Sequence, residues 1–280
     1  MQTTAEDTRS ALIAPDRCHE LAAQGKAVLV DVRAPEQRRL MRPAAAHGVP
    51  WRLLRRALSQ PGRLGVDMRA WEALGAALQP LQGRRIVLCG NTTDPVSAGC
   101  YLALCAAGVR NVCVLDGGFT ALKRNEPATR AASGDHLAGP GSDATSASRT
   151  PVVATADEVM DVLDRFESAV LLDVRTEPEF RGFDMPAPGW RAGHLPLAAW
   201  LYWGELLAAT GAMVPAATAQ AMFLGRGVTP DKTVVLYGSH WTHAAVAFLA
   251  LRRLGYPDVR VFAGFRPDGR SHPRLPLELG

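Results

Sequence analysis

Two stretches hold the residue types that could do chemistry. In one, Thr233-Val234-Val235-Leu236-Tyr237 is a short β-branched and apolar run that stops at Gly238. Ser239, His240, Trp241, Thr242 and His243 follow, and then an apolar pattern through Val246, Phe248, Leu249 and Leu251. A strand that gives way to a tight loop and a helix N-terminus gathers backbone N–H groups around an anion. Hydroxyl, imidazole and amide donors in that loop would suit sulfate, thiosulfate or phosphate. The other stretch repeats the arrangement: Ile86-Val87-Leu88-Cys89, then Gly90-Asn91-Thr92-Thr93-Asp94-Pro95-Val96-Ser97. Cys89 is the thiol beside that loop, and a thiolate is the strongest nucleophile such a site could offer. His240 and His243 could serve as a base or as metal ligands. With no carboxylate or cysteine near them in sequence they are too few for a metal site, and no metal or cofactor is expected.

The elements that must position these loops occur twice. Ala27-Val28-Leu29-Val30-Asp31-Val32-Arg33 and Ala169-Val170-Leu171-Leu172-Asp173-Val174-Arg175 are apolar runs ending in an acid and a base. Val112-Cys113-Val114-Leu115 and Val259-Arg260-Val261-Phe262 are a further matched pair. Helix patterns fall between them, with Trp71, Leu74, Ala77 and Leu78 on one face of 68–78 and Val159, Met160 and Leu163 on one face of 156–166. Short buried strands alternating with helices mean a parallel α/β sheet in each half, and the repeated order means an internal duplication. Between them, about residues 126–150 turn to Ala, Ser, Gly, Pro and Thr without periodicity, the composition of a linker. The expected organisation is 1–125, a linker at 126–150, and 151–280.

Composition narrows the function class. The chain of 280 residues is 48% hydrophobic, ordinary for a globular protein with a real core. Its net charge of +4 comes from scattered arginines, so no nucleic-acid surface is expected. Neither a signal peptide nor an apolar run of about 20 residues is present, which predicts a cytoplasmic protein with no membrane span. Five cysteines (Cys18, Cys89, Cys100, Cys105, Cys113) at irregular spacing form neither a disulfide framework nor a zinc pattern. Cys100, Cys105 and Cys113 fit core positions, and Cys18 lies on an early helix face.

Taken in order, these fragments resemble the tandem rhodanese family of thiosulfate and 3-mercaptopyruvate sulfurtransferases. Leu172-Asp173-Val174-Arg175, Glu179-Phe180-Arg181-Gly182 and Ala192-Gly193-His194-Leu195-Pro196 are similar to that family's first signature, and Trp203-Gly204-Glu205-Leu206-Leu207 to its Trp-rich segment. In the first half, Asp31-Val32-Arg33 and Val114-Leu115-Asp116-Gly117-Gly118-Phe119 match equally, and Arg42 falls where the signature histidine would be. The resemblance implies two rhodanese-like domains, each a parallel five-stranded sheet flanked by helices. It also implies a persulfide-forming cysteine at the start of the loop after the fourth strand, with Asp173, Arg175 and His194 lining the pocket.

Here the resemblance breaks. The cysteine position in the second half is Gly238, and residues 114–280 contain no cysteine. In the first half it is Gly90, in a loop that looks one residue longer; Cys89 sits one residue early, and alternation along a strand turns it away from the loop centre. Asp94 and Pro95 further disfavour an anion there. The family-related phosphatases need the same cysteine plus a loop arginine, and this loop has neither. Three readings follow. The preferred one is a family member without orthodox sulfurtransfer, whose loop at Gly238, Ser239, His240, Trp241, Thr242 and His243 binds a small sulfur-containing anion or a protein partner. The alternatives are a thiosulfate sulfurtransferase acting through Cys89, or a different enzyme using His240 or His243. Trp241 is expected to be partly packed on a polar surface loop.

Overall fold

The computed structural model describes residues 10–41, 43, 46–59, 65–124, 151–165, 167–184, 192–265 and 275–279. Both the 126–150 linker and Arg42 lie outside the described residues. The first half runs β1 (Leu12–Ile13), α1 (Pro15–Ala23), β2 (Ala27–Asp31), α2 (Pro35–Leu40), β3 (His47–Gly48), α3 (Trp51–Ala57), α4 (Met68–Leu78), β4 (Arg85–Cys89), α5 (Pro95–Ala106), β5 (Val112–Leu115) and α6 (Gly118–Arg124). The second runs α7 (Ala156–Asp164), β6 (Ala169–Asp173), α8 (Glu177–Arg181), β7 (Ala199–Trp200), α9 (Ala216–Leu224), β8 (Thr233–Tyr237), α10 (Trp241–Arg253) and β9 (Val259–Phe262).

The strands of the first half form a five-stranded sheet in the order β1-β5-β4-β2-β3, with every pairing parallel. The second sheet is β7-β6-β8-β9, also parallel, and so has four strands where five were expected. In place of a counterpart to β1 there is one parallel bridge, Val153 to Val261. Its shortness has a local cause: Thr155, one residue after Ala154 has donated to Val261 O, caps α7 by accepting from Glu158 N, and the chain turns into the helix. Strands β2 and β4 are buried along their whole length, as continuous apolar runs covered on both faces must be.

The halves are fused through helices. Helices α5 and α10 pack against each other, and Tyr101 meets Phe248 with ring centroids 6.0 Å apart. Close approach depends on Gly99, where an added Cβ would lie 2.9 Å from both Leu58 Cδ2 and Thr242 Cγ2. A single apolar core runs through both sheets, from Val30, Ile86 and Leu88 to Leu172, Val234 and Leu236. Separate smaller clusters fill the outer face of each half. Among the described residues no helix is long and apolar enough to cross a membrane.

Candidate functional site

Strand register fixes which residues of the two loops correspond. Asp31 pairs with Cys89 and Asp173 with Tyr237, so Gly90 and Gly238 are equivalent, each the first residue beyond the strand. Helix α10 starts at Trp241 but α5 only at Pro95, which makes the first loop two residues longer than the second, not one.

In the second loop the expected donors already have partners. Ser239 Oγ donates to Glu179 Oε1, while Thr176 Oγ1 donates to Glu179 Oε2 at 2.7 Å. Burial pushes the Glu179 carboxyl up. The hydrogen bonds from Ser239 and Thr176, with the nearby Arg175 charge, outweigh that and hold it below the usual carboxylate range. A carboxylate therefore stands where a bound anion would draw on Ser239. His240 caps α10, its Nδ1 accepting from Thr242 N at 3.3 Å and lying 2.7 Å from Thr242 Oγ1. His243 stacks on Trp203, with centroids 5.0 Å apart and planes at 16°. Burial lowers its pKa, partly opposed by the Glu179 charge, so the ring is neutral at neutral pH.

Trp241 is no loop residue. It occupies the first turn of α10, is fully buried, lies 5.1 Å from the Trp71 ring and donates from Nε1 to Ser59 O at 3.2 Å. The expectation of partial packing fails because the first half supplies the other wall of its pocket.

Asp173, Arg175 and His194 are all buried and tie the loop's surroundings together. Arg175 Nη2 reaches Asp173 Oδ2 at 2.6 Å and Gly193 O at 2.9 Å, and its guanidinium lies 4.7 Å from the Phe265 ring. Burial disfavours the Arg175 cation, but Asp173 more than compensates and raises its pKa. His194 is stacked on Phe180 at 3.8 Å, its Nδ1 lies 2.9 Å from Phe180 O and its Nε2 3.3 Å from Glu278 Oε1. The same acid–base tie recurs in the first half, where Arg33 Nη2 holds Asp31 Oδ2 and Met41 O, each at 2.8 Å.

The first loop is closed. A Cβ at Gly90 would lie 2.9 Å from Asp94 Oδ1 and 3.0 Å from Thr92 O. Asp94 turns inward to cap α5, accepting from Ser97 N at 2.8 Å, and burial raises its pKa despite those bonds. From the second half, Gly211 O accepts from Thr93 N and Met213 N donates to Asp116 Oδ1, both at 2.8 Å. Cys89 is fully buried on the outer face of the sheet with Cys18 and Cys113. Burial, and then the charge of Asp31, pushes its thiol well above the ordinary cysteine range. Cys100 is fully buried and Cys105 half-buried, as core positions should be. By contrast, a Cβ at Gly238 would meet Val174 Cγ2 at 3.1 Å and His240 O at 3.5 Å, so a side chain there asks the buried Val174 methyl to give by a few tenths of an ångström but meets no backbone clash.

Glu179 and Trp203 are the neighbours that single-residue reasoning passed over. Thr176-x-x-Glu179 is a capping box readable in the sequence, but nothing there reveals that the same carboxylate also reaches Ser239. Among the described residues no group of three or more His, Cys, Asp or Glu could hold a metal.

The comparisons agree with this geometry. A family model described as rhodanese-like domain matches residues 14–125 and 155–266. The chain is 28% identical over 172 residues to 3-mercaptopyruvate sulfurtransferase of Escherichia coli (strain K12), a match covering 61% of this chain and 59% of that protein. It is 31% identical over 175 residues to thiosulfate sulfurtransferase of Azotobacter vinelandii, covering 59% of each. These matches span less than two thirds of the relatives' length. In fold, it is similar to the crystal structure of SseA from Escherichia coli (TM-score 0.64, 21% identity, 91% of this chain and 98% of that one). It is similar also to YnjE (TM-score 0.75, 21% identity, 96% and 68%). With both halves matched and both sheets in place, the chain belongs to the rhodanese-like domain family as a tandem, sulfurtransferase-like member.

Proposed function

We propose that this protein is a rhodanese-family member that does not carry sulfur on either loop and uses the loop at Gly238 to bind a partner. The observation that carries the reading is glycine at both equivalent positions, Gly90 and Gly238, each at the end of a strand that presents its loop to a helix N-terminus. Persulfide formation needs a thiolate there, and glycine supplies no side chain. The buried, proton-holding Cys89 argues against the alternative of sulfurtransfer through the first half. His243 is held in a stack on Trp203 with no carboxylate hydrogen bond to activate it among the described residues, which argues against a histidine-based enzyme.

The ligand class follows from charge and kinship. The named relatives act on sulfur compounds, and one, from Thermus thermophilus, is named a sulfur carrier protein. Glu179 already engages Ser239, so a free small anion would have to displace a carboxylate. That favours a protein partner handling sulfur over a free sulfur anion. The test is thiosulfate:cyanide sulfurtransfer by the purified chain, with intact mass after thiosulfate or 3-mercaptopyruvate. The expected result is no turnover and no added sulfur. A persulfide that Cys89→Ala abolishes would overturn the reading and make the first half the active one.

A further inference from the structure

The second sheet has a notch on its outer edge, at the end of the strands away from the Gly238 loop. Strand β7 joins β6 only at Leu172 and Asp173, leaving Ala169 to Leu171 without a strand neighbour on that side among the described residues. The cause is Leu197. Its φ of 59° is a conformation that L side chains rarely adopt, and the turn from Leu195 O to Ala198 N carries the chain off the ladder line. Leu197 is 64% exposed, an apolar side chain held out beside the gap. The gap itself is a cavity of about 400 Å³, walled by Val162, Leu163, Val170 and Leu197 and bordered by Arg226 and Lys232.

The backbone groups in the notch can be read from register. Thr233 N bonds Ser168 O and Val174 N bonds Tyr237 O, so the even-numbered residues of β6 face β8 and the odd-numbered ones face the notch side, where Leu201 N bonds Asp173 O. Arg165 O takes the Ala169 N–H. Ala169 C=O and Leu171 N–H then face the notch with no backbone partner among the described residues. An acceptor and a donor along one strand edge, with an apolar wall beside them, form the template to which an extended peptide adds.

We infer that this notch docks an extended segment of a partner protein, carrying an apolar side chain and an acidic one. The apolar side chain fits between Leu163 and Leu197, and the carboxylate meets Lys232. The choice of acid rests on charge: no carboxylate lines the notch among the described residues, and both bordering charges are positive. Arg226 has its donors on Trp200 O at 2.6 Å and Met222 O at 3.0 Å and faces Glu205 Oε2 at 4.0 Å, which leaves Lys232, whose neighbour Asp231 lies outside the lining, as the group that meets the ligand.

The test uses the full chain and a fluorescein-labelled hexapeptide, Val-Thr-Val-Asp-Val-Thr, beside the same peptide with lysine for aspartate. Saturable binding by anisotropy is expected, at least tenfold weaker for the lysine peptide, with slowed amide exchange confined to the segment around 169–171. Lys232→Glu should reverse the preference between the peptides, and Leu197→Asp should weaken both. Circular dichroism checks folding; if Leu197→Asp fails it, the charge reversal at Lys232 decides. No saturable binding, equal binding of the two peptides to every variant, or protection elsewhere in the chain would overturn the proposal. Binding of octanoate, an apolar anion with no peptide backbone, where the hexapeptide fails to bind would do so too.

Discussion

Gly238→Cys tests the proposed function by placing a thiol at the first residue of the second loop. The side chain would enter a space bounded by Val174 Cγ2 at 3.1 Å, His240 O at 3.5 Å and Arg175 Cγ at 3.9 Å from its Cβ. Only the Val174 methyl must yield, by a few tenths of an ångström. That mild overpacking should cost about 1 kcal/mol, or a fall in Tm of roughly 3 °C. The introduced thiol would sit at the N-terminus of α10, where the dipole favours the thiolate by about 0.3–1 kcal/mol, roughly half a pKa unit. Glu179 opposes this. The thiol should therefore titrate near or slightly below an ordinary cysteine in iodoacetamide alkylation rates measured against pH, and adding Glu179→Gln should lower its pKa further. Thiosulfate should then give a persulfide by intact mass: the thiolate attacks the outer sulfur, the S–S bond breaks with its electron pair going to sulfite, and sulfite leaves. The unsubstituted chain should gain nothing under the same conditions. A folded variant whose new thiol resists both iodoacetamide and thiosulfate would refute the claim that only the nucleophile is missing. Added sulfur on the unsubstituted chain would refute the claim that it is missing at all.

Two further outcomes follow from the same geometry. Trp241→Ala removes a fully buried indole that the halves share, and should destabilise the protein by about 3–5 kcal/mol, lowering Tm by roughly 10 °C in calorimetry; a loss below about 1 kcal/mol would contradict its place in the core. His243 should titrate by NMR below the free histidine value of about 6.5, and Glu179→Gln should lower it again, since that charge is what raises it. Because the folded pKa is the depressed one, the stability that neutral His243 contributes is present above about pH 6.5 and is lost as pH falls through the folded value.

The duplication, the parallel sheets and the equivalence of Gly90 with Gly238 were legible because strands buried on both faces leave uninterrupted apolar runs, and those runs recur in order. Two Asp-Val-Arg triplets were equally visible, but not the atoms their arginines reach. Those are Gly193 O and Met41 O, backbone atoms that no residue type announces. Trp241 was misread for the same kind of reason. Its loop neighbours are polar, and the partners that bury it, Trp71 and Ser59, lie far away in the chain. Likewise, the fifth strand of the second sheet is only a bridge because Thr155 commits the chain to the α7 cap directly after it, a competition between ladder and helix cap that periodicity does not weigh.

The turn at Gly211 has a consequence for how this protein can be taken apart. A Cβ there would lie 2.4 Å from Thr92 Cγ2, so the second half reaches into the first with no atom to spare. Together with a core that runs through both sheets, this makes the family match a poor guide to modularity: two copies of a domain are recognisable, yet they share one core. A cut at the linker would bare Trp71 on one fragment and Trp241 on the other. Either piece expressed alone would carry an open apolar face, whereas the two produced together should find each other and reassemble.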